Sequence, residues 1–225
     1  MGKTSKKKIF LWWLTLGLYF EQGRNRETQP FPLDMAPTSI DDQYAGCSNN
    51  MHNEVNTVYL PREKMNNSEF NNAWNEASKK AKPSRDELKK KHSMAIYVCT
   101  NAEPEIYPHF NRQVRDGRCN YGTTFQYHSL HFYLTEAIQK LKLNQRACRT
   151  TYRRTNVHFV KDVVNLMIRF GTFTSSTLNQ TKGRDSFGKT SCFEISTCFG
   201  AEISSYSVFP GESEVLINLP MRYSQ

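Results

Sequence analysis

The apolar periodicity of this sequence changes character once, near residue 149, and that change narrows the folds open to it. Before it, apolar residues recur at helical spacing. Phe70, Ala73, Trp74, Ala77 and Ala81 share one face, and Leu130, Tyr133, Leu134, Ala137, Ile138 and Leu141 form a second, more clearly amphipathic stripe. Ser68 is placed to cap the first of these helices and Pro83 to end it. Ser84-Arg-Asp-Glu87 reads as a capping box for the next, and residues 104–115 as a further helix closed by Asp116-Gly117. The apolar run 95–98 suits helix or strand equally. After the change, segments are short and rich in Thr, Val, Phe and Ser, with strands expected over 149–155, 167–178, 191–199, 203–208 and 214–219. A helical half followed by a strand-rich half predicts an α+β fold, with the N-terminal helices packed on a C-terminal β-sandwich-like core.

The chain has 225 residues, enough for one domain with a leader. Lys3 and Lys6-Lys-Lys8 precede a mostly apolar run over 9–20, too short to span a bilayer, which reads as a signal peptide over 1–23. Residues 24–32 read as a linker and 33–225 as the folded domain. Export permits disulfides among the six cysteines, Cys47, Cys99, Cys119, Cys148, Cys192 and Cys198, with pairings that spacing leaves open. It would also give meaning to the glycosylation triplets at Asn66 and Asn179. No hydrophobic tail follows Leu219, so no glycolipid-anchor signal is seen, and soluble secretion is expected with no stable membrane span. The net charge of +9 is concentrated at 6–8 and 79–91 without interleaved aromatics, which suits a solvated helical face better than a nucleic-acid surface. His128 and His131 fall on or near the second apolar stripe and read as packed or capping residues, and no metal-ligand spacing appears. The absence of Gly-x-Gly-x-x-Gly and of a phosphate loop argues against a Rossmann-type dinucleotide site.

Near the C-terminus, Phe209-Pro-Gly-Glu-Ser-Glu-Val-Leu-Ile217 places a turn signal before a β-branched run. On a strand, Glu212 and Glu214 would share one face about 7 Å apart. Neighbouring carboxylates on a strand built for burial repel each other and cost desolvation. They are either edge-strand charges that discourage aggregation or a catalytic pair.

Two upstream stretches bear on that choice: Thr151-Tyr-Arg-Arg-Thr155 and Arg169-Phe-Gly-Thr-Phe-Thr-Ser-Ser-Thr177. An arginine strand, an aromatic-x-Ser-x-Ser/Thr strand and a Glu-x-Glu strand, in that order, resemble the arginine-specific mono-ADP-ribosyltransferases, the secreted or surface-anchored vertebrate enzymes above all. Leu33-Asp-Met-Ala-Pro37, Asp41-Asp-Gln-Tyr-Ala-Gly-Cys47, Leu130-His-Phe-Tyr-Leu134 and Phe209-Pro-Gly211 resemble the same family, so the likeness runs from about Leu33 to Leu219.

The resemblance implies transfer of ADP-ribose from NAD, or NADP, to arginines of acceptor proteins, with no metal. Breaking the nicotinamide–ribose bond leaves an oxocarbenium-like cation, which calls for a nearby carboxylate and for donors that hold the diphosphate. By resemblance, Glu214 binds the ribose 2′-hydroxyl and stabilises the cation, and Glu212 holds the acceptor guanidinium and helps remove its proton. Arg153 clamps the diphosphate, a task suited to a planar fork of donors. Ser175 positions the nicotinamide ribose and Glu214, and Thr177 braces its strand. The backbone of Arg154 meets the nicotinamide amide, where many relatives have Gly, and Phe187 stacks near nicotinamide. Cys99 stands where relatives often carry a tyrosine. A Cys148–Cys198 disulfide is implied, whereas the usual partner of a cysteine like Cys47 is missing from this sequence. An NAD glycohydrolase and an inactive secreted binding module of the same fold are the alternatives.

Overall fold

The computed structural model describes residues 30–104, 106–160, 163, 166–181 and 188–218. The expected signal peptide, most of the linker and Phe187 lie outside these residues.

Helix α1 (Ser48–Glu54) runs through a π-helical turn, Val55–Tyr59, into α2 (Leu60–Asn66) and α3 (Ser68–Lys80). Asn67, rather than the expected Ser68, caps α3, its side-chain oxygen accepting the Phe70 N–H at 2.9 Å. Phe70, Ala73, Trp74 and Ala77 are buried as their spacing predicts. The helix ends at Lys80, because residues just before a proline disfavour helical backbone.

Residues 84–87 form no capping box. Asp86 and Glu87 turn through left-handed backbone instead, at φ 52° and 64°. Helix α4 (Lys90–Thr100) starts later, where His92 Nδ1 accepts the Lys89 N–H at 2.9 Å. It takes in residues 95–98, all buried, which settles that run as helix. Segment 79–91 is thus a helix end, a loop and a helix start rather than one helical face, although Lys79, Lys80, Lys82, Lys89 and Lys90 are exposed.

Helix α5 covers Ile106–Asp116. Helix α6 (His128–Asn144) is not amphipathic but central, packing against α4, the π-turn and the sheet. Its polar residues His128, Ser129, His131 and Thr135 are as buried as its apolar ones. Buried Glu63 caps it, one carboxylate oxygen accepting the His128 N–H at 2.6 Å and the other the Ser129 N–H at 3.1 Å.

The strand-rich half forms one five-stranded antiparallel sheet of order β3-β1-β2-β5-β4. The strands are β1 (Arg149–Thr155), β2 (Thr174–Thr177), β3 (Ser191–Thr197), β4 (Gly200–Glu202) and β5 (Glu214–Ile217). β1 matches its expectation. β2 is much shorter than 167–178, because buried Arg169 ties the residues before it to the N-terminal segment. Its guanidinium bonds Asp41 Oδ2 at 2.8 Å, Ser39 Oγ at 2.9 Å, the Ala36 carbonyl at 3.0 Å and the Met35 carbonyl. Residues 203–208 make a turn, not a strand, with the Tyr206 and Ser207 N–H groups both bonded to the Ile203 carbonyl. β4 precedes that turn and crosses β5 at Gly200. A Cβ there would lie 2.9 Å from Ile217 Cγ1 and Val215 Cγ1.

Along β5 the faces alternate. Leu216 joins the helical core, while Val215 and Ile217 join Ile195, Phe170, Leu178 and Phe193 in a second cluster across the sheet. Cys148 and Cys198 are disulfide-bonded, tying the entrance of β1 to the exit of β3. Among the described residues no helix is long and apolar enough to cross a membrane.

Candidate active site

β1 and β2 share a single registered pair, Tyr152↔Thr177, whereas β1 and β3 pair along their whole length. A cleft of about 310 Å³ opens at that narrow join. Tyr152, Arg153 and Arg154 line it from β1, Ser175, Ser176 and Thr177 from β2, and Glu212 from the turn before β5.

The β2–β5 register sets the chemistry. Thr177 lies opposite Glu214, so Thr177, Ser175 two residues before it and Glu214 share one face. Ser175 Oγ donates to Glu214 Oε1 at 2.6 Å, and Arg153 Nη1 donates to the Ser175 carbonyl at 2.8 Å. One arginine, one serine and one carboxylate from three adjacent strands are thereby joined in a row. The Glu214 side chain is buried, and desolvation raises its pKa above the ordinary glutamate value, with hydrogen bonds from Ser175 and Ser207 partly opposing the rise. A carboxylate kept in low dielectric interacts strongly with any cation that develops beside it.

Arg154 lines the same cleft, and its buried Nε has no hydrogen-bond partner. A buried guanidinium donor without an acceptor suits an anionic ligand such as a diphosphate. Gly188, at φ 129°, lies so close to the end of β1 that a Cβ would come within 2.3 Å of the Thr155 carbonyl carbon. The Lys189 N–H donates to Asn156 Oδ1 at 3.0 Å, so the chain just after Phe187 is fixed against the arginine strand.

The two acids do not alternate along one strand as expected. Pro210–Glu212 is a 3₁₀ turn and Ser213 adopts left-handed backbone at φ 51°, so the strand begins only at Glu214. The turn signal reaches further than the β-branched run suggested, and Glu212 sits half-buried on it. Thr177 Oγ1 donates to the Glu212 carbonyl at 2.7 Å and accepts the Asn179 N–H at 3.1 Å, so Thr177 fastens the turn to β2.

Several further residues lie near the site, of which Cys99 alone was singled out in the sequence. Tyr107 and Asn111 of α5 donate to the Phe173 carbonyl at 2.7 and 3.1 Å, and Asn111 also accepts the Phe173 N–H at 3.1 Å, which holds β2 from below. Cys99 of α4 is buried beside them; desolvation, and after it the Glu214 charge, push its thiol pKa up. Ser207 Oγ donates to Glu214 Oε2 at 3.5 Å. Cys99, Tyr107 and Asn111 lie in helices remote in sequence from β2 and β5, so only the tertiary fold brings them to the acid, whereas Ser207 comes from the turn just before β5. Away from the cleft, Asn66 is exposed at the end of α2, and Asn179 Oδ1 accepts the N–H and hydroxyl of Thr181.

The family model for NAD:arginine ADP-ribosyltransferase matches residues 33–224. The chain is 36% identical over 207 residues to the GPI-linked NAD(P)(+)--arginine ADP-ribosyltransferase 1 of Mus musculus, covering 84% of this chain and 63% of that protein. It is 35% identical over 199 residues to ecto-ADP-ribosyltransferase 5 of Bos taurus, covering 82% of this chain and 62% of the relative. The chain therefore spans less than two thirds of the length of these relatives. The solved structure of the eukaryotic mono-ADP-ribosyltransferase ART2.2 superposes with a TM-score of 0.75 at 32% identity, covering 87% of this chain and 88% of that one. A variant of the same protein, solved in complex with NAD, superposes with a TM-score of 0.72 at 32% identity, covering 84% and 85%.

Proposed function

The chain belongs to the NAD:arginine ADP-ribosyltransferase family, and on that premise we propose that it transfers ADP-ribose from NAD to arginine side chains of acceptor proteins, releasing nicotinamide. The observation that carries this reading is the bond from Ser175, which lines the cleft together with Arg153 and Glu212, to the buried Glu214.

In this reading Arg153 and Arg154 hold the diphosphate, with the unpartnered Arg154 Nε a donor in waiting. Ser175 orients the nicotinamide ribose and fixes one oxygen of Glu214. As the C1–nitrogen bond breaks, its electron pair leaves with nicotinamide, and positive charge spreads over C1 and the ring oxygen. Glu214 stabilises that charge and accepts the 2′-hydroxyl. A guanidinium nitrogen of the acceptor then bonds to C1, and Glu212 on the adjoining turn orients it and helps take up the proton it loses. Orientation is the larger part of that task, since a guanidinium gives up a proton reluctantly. NADP fits the same scheme, because its extra phosphate lies away from the bond that breaks.

The relatives include proteins named as ecto-enzymes and as GPI-linked. With the leader at 1–23, they support entry of this chain into the secretory pathway and action on extracellular or luminal proteins, with glycosylation at Asn66 and Asn179. The test is incubation with NAD labelled in its ADP-ribose part, with and without polyarginine. Label on the polymer is the expected result; free ADP-ribose would make the protein a glycohydrolase, and neither would make it a binding module.

A further inference from the structure

We propose that Ser207 is a positioning residue that sets both acids of the site with one hydroxyl, orienting Glu214 directly and Glu212 through the turn that carries it. The inference rests on the transferase reading for its kinetic arm only.

Ser207 has no accessible surface, so its hydroxyl is satisfied entirely from within the protein. Its Oγ accepts the Phe209 N–H at 3.0 Å and lies 3.5 Å from Glu214 Oε2. With a lone pair already taken by that N–H, its single proton is left for the carboxylate. Ser175 holds the other oxygen at 2.6 Å, so each carboxylate oxygen has a serine hydroxyl beside it, one close and one at the long end of hydrogen-bond distance. Without Ser207, the carboxylate would keep the Ser175 bond to Oε1 and lose the hydroxyl that faces Oε2.

The second link runs through Phe209. Its N–H is held by Ser207, and its carbonyl accepts the Glu212 N–H at 3.1 Å, closing the turn on which Glu212 sits. Residues 207–214 form a loop whose neck is the Ser207–Glu214 contact. Thr177 holds the far end through the Glu212 carbonyl. Two hydroxyls, those of Ser207 and Thr177, thus fasten the loop that joins the two acids.

Other groups acting on the Glu214 carboxylate are known from the elements around it. Cys99 of α4 and Tyr107 of α5 are buried neighbours whose own pKa values its charge raises, and Arg153 of β1 acts on the same tyrosine in the opposite sense. Glu212 is the nearest acid along the chain. Ser175 and Ser207 donate hydrogen bonds to the carboxylate, and both favour its ionised form.

The experiment compares wild type, Ser207→Ala and Ser207→Thr in two measurements. The first follows nicotinamide release and arginine transfer against pH. Ser207→Ala should lower kcat roughly tenfold with KM for NAD little changed, the size expected for one donor lost from a charged group. Its acid limb should move to higher pH, and transfer should fall further than hydrolysis because Glu212 is loosened as well. Ser207→Thr, which keeps the hydroxyl, should recover the acid limb. The second follows the Glu214 carboxyl carbon by NMR titration, which needs no turnover, and the alanine variant should titrate at higher pH than wild type. Thermal melts report folding. An alanine variant with wild-type kinetics and titration overturns the proposal while leaving the transferase reading intact. A wild-type protein that releases no nicotinamide overturns that reading, and the titration still decides whether Ser207 sets the carboxylate.

Discussion

Ser175 and Glu214 meet across β2 and β5 at 2.6 Å, although 39 residues separate them in sequence, because Thr177 is registered opposite Glu214. That register puts the serine hydroxyl diagonally across from the acid, within reach of one oxygen and clear of the other.

The acids are expected to divide the work. Glu214→Gln removes the charge facing the oxocarbenium-like centre, so transfer and NAD hydrolysis should both fall by about 10²–10⁴-fold. Glu212→Gln should suppress transfer to arginine far more than hydrolysis, leaving a weak glycohydrolase. Both rates need measuring on each variant, with melts to confirm folding. Equal losses in Glu212→Gln would mean that the pair acts as one unit.

Arg153→Lys keeps the charge but removes the fork, and the bond to the Ser175 carbonyl at 2.8 Å goes with it. NAD and ADP should both bind at least tenfold more weakly by calorimetry. An unchanged affinity for ADP would shift the diphosphate contact to Arg154.

Arg169→Met should be among the most damaging substitutions outside the cleft. It leaves Asp41 without its ion pair and strips partners from the Met35 and Ala36 carbonyls and Ser39. Arg169 is buried but Asp41 is partly exposed, so the loss should cost about 1–3 kcal/mol, read as a lower unfolding free energy in chemical denaturation.

The Cys148–Cys198 bond closes a loop with sequence separation 50. Chain-entropy arguments give it about 4 kcal/mol, so a Cys148→Ala, Cys198→Ala double variant should melt well below wild type. Activity should drop too, since the bond ties down the entrance of the strand that carries Arg153. Peptide mapping under non-reducing conditions that found either thiol free would remove the basis for both expectations.

His131 makes a separate statement about acid. Buried on α6 with Nδ1 at 2.6 Å from the Tyr44 hydroxyl, it is held by desolvation at a pKa of about 3, well below its unfolded value near 6.5. The unfolded chain therefore binds the extra proton first. The stabilisation is full above about pH 6.5 and is lost as pH falls towards 3. Melting temperature should fall across that window, and His131→Asn should flatten the slope.

Much of the architecture could be read from residue order. β1 is the clearest case, because its Thr-rich run has the bounds expected, 149–155, with Thr151 and Thr155 buried. The Glu214 strand was readable from the apolar run that follows the Pro-Gly turn, although it ends at Ile217. Other elements depend on partners that local patterns do not contain. Residues 167–173 have strand-like composition, yet Arg169 draws them towards Asp41 and shortens β2. Helix α6 looked one-sided because His128, Ser129, His131 and Thr135 count as polar, whereas they are buried with Glu63, Tyr44 and Tyr121 around them. Ser207 and Asn111 reach the site from a turn and a helix that show no periodicity pointing there.

Ser213, at φ 51°, divides the region in a way that bears on ancestry. The strand anchors Glu214, so descendants that keep cleaving NAD must preserve β2 and β5. The turn from Phe209 to Ser213 anchors Glu212, and it meets the sheet through the Thr177 hydroxyl. If the proposed transfer holds, the choice of acceptor is then a property of one short loop, and the cut itself a property of the strands beside it.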